Sequence, residues 1–221
     1  MERTTLEIPG FNGEPLPCVL HAEGGEEGVA VVFPGAAGQG YRLGGIPARP
    51  DLHYTRAVLL AEGVAVFEVW WDADTVPEGG YDAWIAANAD AALAAATESH
   101  RLAALVGRSL GTIALAQIVS RGDWESRSVP TIWIAPLLHL PNVAEALATL
   151  ASPAFVVGGT DDRAFDPAVV ERARADGAEV VTLEGAHHGL EVADPAASAR
   201  LLADLLDRMR EFVRTTMPAG R

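Results

Sequence analysis

The stretch from Leu102 to Ser120 limits the possible folds most sharply. Leu102 to Val106 is a short apolar run and reads as a buried strand. Gly107-Arg108-Ser109-Leu110-Gly111 follows at once, and Thr112 to Val119 reads as a buried, alanine-rich helix. A strand that becomes a helix within five residues needs a very tight turn. Glycines two before and two after the serine let the helix pass close to the strand, because neither carries a side chain. Such a turn pushes the hydroxyl of Ser109 out above the edge of a sheet. The helix N-terminus behind it favours negative charge nearby.

The rest of the chain supplies the sheet. Thr4 to Ile8 and Leu16 to His21 read as two short strands separated by the turn signals Pro9-Gly10 and Asn12-Gly13. Val29 to Phe33 is apolar throughout, as in a strand buried on both faces, and Val64 to Trp70 reads as the next buried strand. Thr131 to Ala135, Ala154 to Val157 and Glu179 to Leu183 complete the strands. Helices are expected over Leu52 to Glu62, Tyr81 to Thr97, Val143 to Leu150, Pro167 to Ala175 and Pro195 to Thr215. Asn142, Asp166 and Asp194 are placed to cap the last three. Strand and helix alternate from Val29 onward, which predicts a mostly parallel sheet with helices on both faces. The 221 residues fit a single domain, 1–221, with no repeat or linker.

Two further loops carry chemistry. The strand ending at Val157 runs into Gly158-Gly159-Thr160-Asp161-Asp162, and the strand ending at Leu183 runs into Glu184-Gly185-Ala186-His187-His188-Gly189. A serine, an acid and a histidine thus each follow a strand, at the sheet edge where ligands gather in open parallel sheets. The residues alone leave Asp161 or Asp162, and His187 or His188, open; neighbours point different ways, so only one of each pair can serve.

These motifs resemble those of a small α/β-hydrolase. Gly107-Arg-Ser-Leu-Gly111 is similar to that family's nucleophile elbow, Gly159-Thr-Asp-Asp162 to its acid loop and Gly185-Ala-His-His188-Gly189 to its histidine loop. Pro34-Gly35-Ala36 resembles the loop that supplies half of an oxyanion hole, with proline in place of histidine. The resemblance spans nearly the whole chain and implies a three-layer α/β-hydrolase fold. It implies Ser109 as nucleophile, His188 as base and Asp162 as the acid that holds the imidazole. The backbone N–H groups of Ala36 and Leu110 would receive the oxyanion. Asp162 is preferred because it lies two after the threonine, and His188 because it precedes Gly189. Only Pro136 to Pro153 separates the strand at Ala135 from that at Ala154, room for one short helix and no cap domain. An uncapped site suits a carboxylic ester or thioester, free or on a carrier, as in the dienelactone-hydrolase-like and small carboxylesterase branches. True dienelactone hydrolases carry cysteine at the elbow, where this chain has Ser109. The competing reading is a non-catalytic ligand-binding protein on the same scaffold.

Other residues are less directive. Arg108 could contact a substrate acid or fill space under the turn. Trp70, Trp71 and Tyr41 could line a pocket or belong to the core, and His139 follows a strand above the same edge. His21, His53 and His100 show no partner pattern. Gly38-Gln-Gly40-Tyr-Arg-Leu-Gly44 follows a strand as a dinucleotide fingerprint would, but Gly45, Pro47 and Pro50 interrupt the helix that motif requires. No metal-ligand spacing appears, and no cofactor is expected.

Composition narrows the partners. The formal net charge is −14, which opposes binding to nucleic acid or an anionic membrane. All 16 basic residues are arginine, so a lysine Schiff base is excluded. Cys18 is the only cysteine; no intramolecular disulfide can form, and a buried, inert thiol is expected. The first residues lack an apolar signal core and no eighteen-residue apolar window exists, so a cytoplasmic protein is expected.

Overall fold

The computed structural model describes residues 2–36, 50–72, 74, 76, 80–121 and 129–217. Among them run eight strands: β1 (Glu2–Pro9), β2 (Pro15–Ala22), β3 (Gly28–Phe33), β4 (Ala65–Val69), β5 (Arg101–Arg108), β6 (Thr131–Ile134), β7 (Ala154–Gly159) and β8 (Glu179–Leu183). The helices are α1 (Pro50–Ala61), α2 (Tyr81–Thr97), α3 (Gly111–Ser120), α4 (Pro141–Ala148), α5 (Pro167–Ala175) and α6 (Pro195–Thr216). The strands form one sheet in the order β1-β2-β4-β3-β5-β6-β7-β8. β1 and β2 form an antiparallel hairpin, and β2 joins β4 antiparallel. From β4 to β8 every pairing is parallel.

Period-two alternation divides the sheet between two apolar layers. Val29, Val31 and Phe33 of β3 belong to one apolar layer with Trp84 and Ile85 of α2, Ile113 of α3, Val143 of α4 and Val169 of α5. Ala30 and Val32 face the other way, toward Leu52 and Leu59 of α1 and Met209 and Phe212 of α6. The result is three layers, helix on sheet on helix. A buried ion pair also ties α1 to the sheet: Arg56 Nη1 lies 2.8 Å from Glu68 Oε1 of β4. His21 and His53, which showed no pattern in sequence, sit at this pair. His21 Nε2 is 3.2 Å from Glu68 Oε2, without hydrogen-bond alignment, and His53 Nδ1 is 3.0 Å from Arg56 Nη2.

Two caps follow the sequence and one does not. Asp166 Oδ1 accepts from Ala168 N at 2.8 Å, and Asp194 Oδ1 from Ala196 N at 3.0 Å. Asn142 is not a cap. Pro141 takes the first position of α4, which its fixed φ suits, and the cap falls to Leu140, with no side-chain bond.

The chain passes from β3 to β4 on one side, then crosses back to β5 on the other. The β3/β5 boundary is therefore the topological switch point, where loops leaving the strand ends part and open a crevice. Ala36 follows β3 and Ser109 follows β5.

Candidate active site

The elbow is built by close approach. A Cβ on Gly107 would lie 2.6 Å from the Gly111 carbonyl oxygen and 2.6 Å from Leu115 Cδ1. A Cβ on Gly111 would lie 2.1 Å from the carbonyl oxygen of Phe33. Only glycine lets α3 descend this close to β5 and β3. Ser109 takes the strain, with φ at 49°, in the left-handed region that residues with a Cβ seldom occupy. Its neighbours hold it there. Ser109 N donates to Ile134 O at 2.9 Å, and Ser109 O accepts from Thr112 N at 2.9 Å and Thr112 Oγ1 at 2.6 Å.

Three side chains from three loops meet. His188 Nε2 lies 2.8 Å from Ser109 Oγ, and His188 Nδ1 lies 2.7 Å from Asp162 Oδ2. Asp162 is buried at 7% exposure, and its second oxygen accepts from Ala164 N at 2.9 Å. The imidazole of His188 is 38% exposed, so one flank of the site is open to solvent. Asp161 is exposed; its backbone N–H donates to Ala186 O at 3.0 Å. His187 points outward, its Nδ1 accepting from Gly189 N at 2.9 Å. Of each adjacent pair, one residue enters the serine site and the other faces solvent.

The β3 loop closes the other side. A Cβ on Gly35 would stand 3.4 Å from Ser109 Cβ, so Pro34-Gly35-Ala36 lies against the elbow. Trp71 Nε1 donates to Gly35 O at 3.4 Å, which fixes one peptide of that loop. Leu110 precedes the first turn of α3, and helix geometry leaves its N–H without an intrahelical acceptor.

Arg108 neither meets solvent nor merely fills space. It is 3% exposed, and its Nε donates to Asp51 Oδ2 at 2.6 Å in a buried ion pair. Its Nη2 donates to the backbone oxygen of His188 at 3.3 Å. Sequence reasoning missed Asp51, whose place after Pro50 gives only the ordinary signal of an acid in a first helical turn. Trp70 and Trp71 are buried, Trp71 in a cluster with Phe33 and Trp84. His139 is exposed. Tyr41 and the Gly38 to Gly44 motif lie outside the described residues. Among those described, no group of three or more His, Cys, Asp or Glu is placed to hold a metal, and no helix is long and apolar enough to cross a membrane.

The fold has counterparts among solved structures. An α/β serine hydrolase without lid from Xanthomonas campestris superposes with a TM-score of 0.70 at 19% identity, covering 100% of this chain and 98% of its own. The chain has the cap-less α/β-hydrolase fold. A dienelactone-hydrolase-like promiscuous phosphotriesterase from metagenomic libraries matches with a TM-score of 0.64 at 20% identity, covering 96% and 99% of the two chains. An esterase from Pyrococcus furiosus matches with 0.69 at 15%, covering 98% and 93%. No protein-family model and no curated protein matches the sequence. Consistent with the fold, the segment between β6 and β7 holds α4 and no cap domain.

Proposed function

We propose that this α/β-hydrolase-fold protein is a serine hydrolase that cleaves a carboxylic ester or thioester through an acyl-enzyme. The observation that carries the reading is the unbroken chain from Asp162 through His188 to Ser109, at 2.7 and 2.8 Å. Names among its structural counterparts, a lidless serine hydrolase and an esterase, point the same way.

The chemistry follows from these contacts. His188 Nε2 takes the proton of Ser109 as Oγ bonds to the acyl carbon, and the carbonyl π pair moves onto oxygen. Asp162 holds Nδ1–H toward itself, fixing the tautomer and stabilising the imidazolium. The N–H groups of Leu110 and Ala36 receive the oxyanion, each such donor being worth about 3 kcal/mol of transition-state stabilisation. The carbonyl re-forms, the bond to the leaving alcohol or thiol breaks, and His188 returns its proton to that group. Water then repeats the sequence on the acyl-Ser109 ester and releases the acid. With no cap between β6 and β7, the mouth admits a small substrate or one borne on a carrier. The lone buried Cys18 and the acidic charge suit a cytoplasmic setting.

A fluorophosphonate probe tests the reading. Folded protein should be labelled stoichiometrically at Ser109 and lose turnover of p-nitrophenyl acetate in step with labelling. Folded protein that leaves Ser109 unlabelled at saturating probe would sink the proposal.

A further inference from the structure

Arg108 stands where four segments meet. It belongs to the elbow; its Nε bonds Asp51 of α1, its Nη2 bonds the backbone oxygen of His188, and its Nη1 would lie 3.0 Å from a Cβ on Gly35. Both charged groups are nearly sealed from water, Arg108 at 3% and Asp51 at 5% exposure. A buried ion pair is a poor source of net stability, since desolvation offsets most of the attraction. Its presence at this point therefore calls for a reason other than stability. The second bond supplies one. The histidine loop comes from β8, three strands away from β5 in the sheet, and Arg108 grips the backbone of the residue whose ring must meet Ser109.

We propose that Arg108, oriented by Asp51, is a positioning residue that holds the His188 imidazole in line with Ser109 Oγ and Asp162. The inference rests on the serine-hydrolase reading above for its effect on rate, and on geometry for its effect on His188. Only the planar fork of arginine makes both bonds at once. Nε faces Asp51 while Nη2 reaches the His188 carbonyl, whereas lysine presents a single nitrogen. Asp51 fixes the plane of the fork and so the direction of Nη2.

Two variants separate positioning from structural support. Arg108→Lys keeps a charge for Asp51 and loses the bridge to His188. The double variant Arg108→Met/Asp51→Leu removes both charges and leaves an apolar pair of similar volume, so neither buried charge is stranded. Each is compared with wild type by thermal melting, by kcat and KM on p-nitrophenyl acetate, and by the far-downfield proton resonance of the imidazole–carboxylate hydrogen bond. The expected result for folded variants is a kcat reduced by roughly 10- to 100-fold, as a displacement near 1 Å produces, with KM little changed and the downfield resonance broadened or lost. A folded variant that keeps kcat within about twofold of wild type overturns the proposal. Should wild-type Ser109 resist the fluorophosphonate, the hydrolase reading falls on its own. The resonance then decides: its loss in the variants supports the positioning role, and its persistence overturns it.

Discussion

Replacing Gly111 by alanine tests whether the elbow depends on backbone contact. The new Cβ would sit 2.1 Å from the carbonyl oxygen of Phe33, 2.6 Å from its carbonyl carbon and 2.9 Å from its Cβ. The first obstacle is main chain at the end of β3, so no rotamer relieves it. Either α3 or the end of β3 must retreat by roughly 1 Å, since contacts below 3.0 Å are not tolerated. Overpacking costs about 1–3 kcal/mol where side chains can yield; with backbone opposing the new atom, about 3 kcal/mol is expected. For a domain of this size that lowers Tm by roughly 6–12 °C. The retreat also separates Pro34-Gly35-Ala36 from Ser109, and a shift of that size costs on the order of 100-fold in turnover. Urea unfolding followed by tryptophan fluorescence gives the stability, and p-nitrophenyl acetate hydrolysis gives the rate. Gly177→Ala is the control. Its φ is 98° and nothing lies within 4 Å, so it should lose about 1 kcal/mol through backbone strain and no activity. A Gly111→Ala protein that loses less than about 1 kcal/mol, or turns over within twofold of wild type, refutes the close-approach argument.

Three further outcomes are expected. Asp162→Asn should lower kcat on the order of 10⁴-fold by releasing the imidazole tautomer, whereas exposed Asp161→Asn should stay within about twofold; the reverse order would show the acid misassigned. Burial pushes the Glu68 carboxyl up, but His21 and Arg56 outweigh it and hold it below the usual carboxylate range. A depressed folded pKa means the stabilisation is complete above the unfolded value, near 4.3, and lost as pH falls through the folded one. Glu68→Gln, which strands buried Arg56, should therefore be less stable than wild type at neutral pH, with the gap narrowing in urea titrations as pH falls below the unfolded carboxylate value; a constant gap contradicts this. Burial pushes the Cys18 thiol up to about 12, against a lowering backbone hydrogen bond at Trp70. Ellman's reagent at about pH 8 should find no reactive thiol in folded protein and one after denaturation; rapid reaction of the native state would place Cys18 at the surface.

Features encoded locally could be read before the structure was known. Val29 to Phe33 is apolar at every position because β3 is covered on both faces. The glycines at 107 and 111 mark the tight turn because their missing side chains are its cause. Element ends were less legible: β5 runs on to Arg108, past the apolar run that stops at Val106, because its ladder with β6 continues to Ile134. Adjacent Asp161 and Asp162 are alike in composition and differ only in which way the turn aims them. The buried ion pairs left no trace at all. Asp51 and Arg108 are 57 residues apart, and Arg56 meets Glu68 across a helix–sheet interface. Charge alone in a sequence suggests solvent, and only the tertiary contact reverses that reading.

The sheet order explains why one of these pairs, Arg108 with Asp51, meets the histidine loop. Neighbouring strands lie about 4.8 Å apart, so β8 stands roughly 14 Å from β5. No serine or histidine side chain spans that distance, and the loop after β8 must fold back across β7 and β6 to deliver His188. A loop that does so needs fastening along its path. Gly185 N donates to Thr160 Oγ1 at 2.7 Å, and Asp161 N donates to Ala186 O at 3.0 Å. A Cβ on Gly159 would fall 1.9 Å from Ala186 O, so the loop lies directly on the end of β7. These bonds fasten its near half to β7. At the far end Arg108 reaches out from β5 to the backbone of His188 itself. Thr160, Asp161 and Gly159 thus shape the candidate site without touching the Ser109 or His188 side chains, and the Gly-Thr-Asp-Asp sequence anchors the histidine loop as well as carrying Asp162.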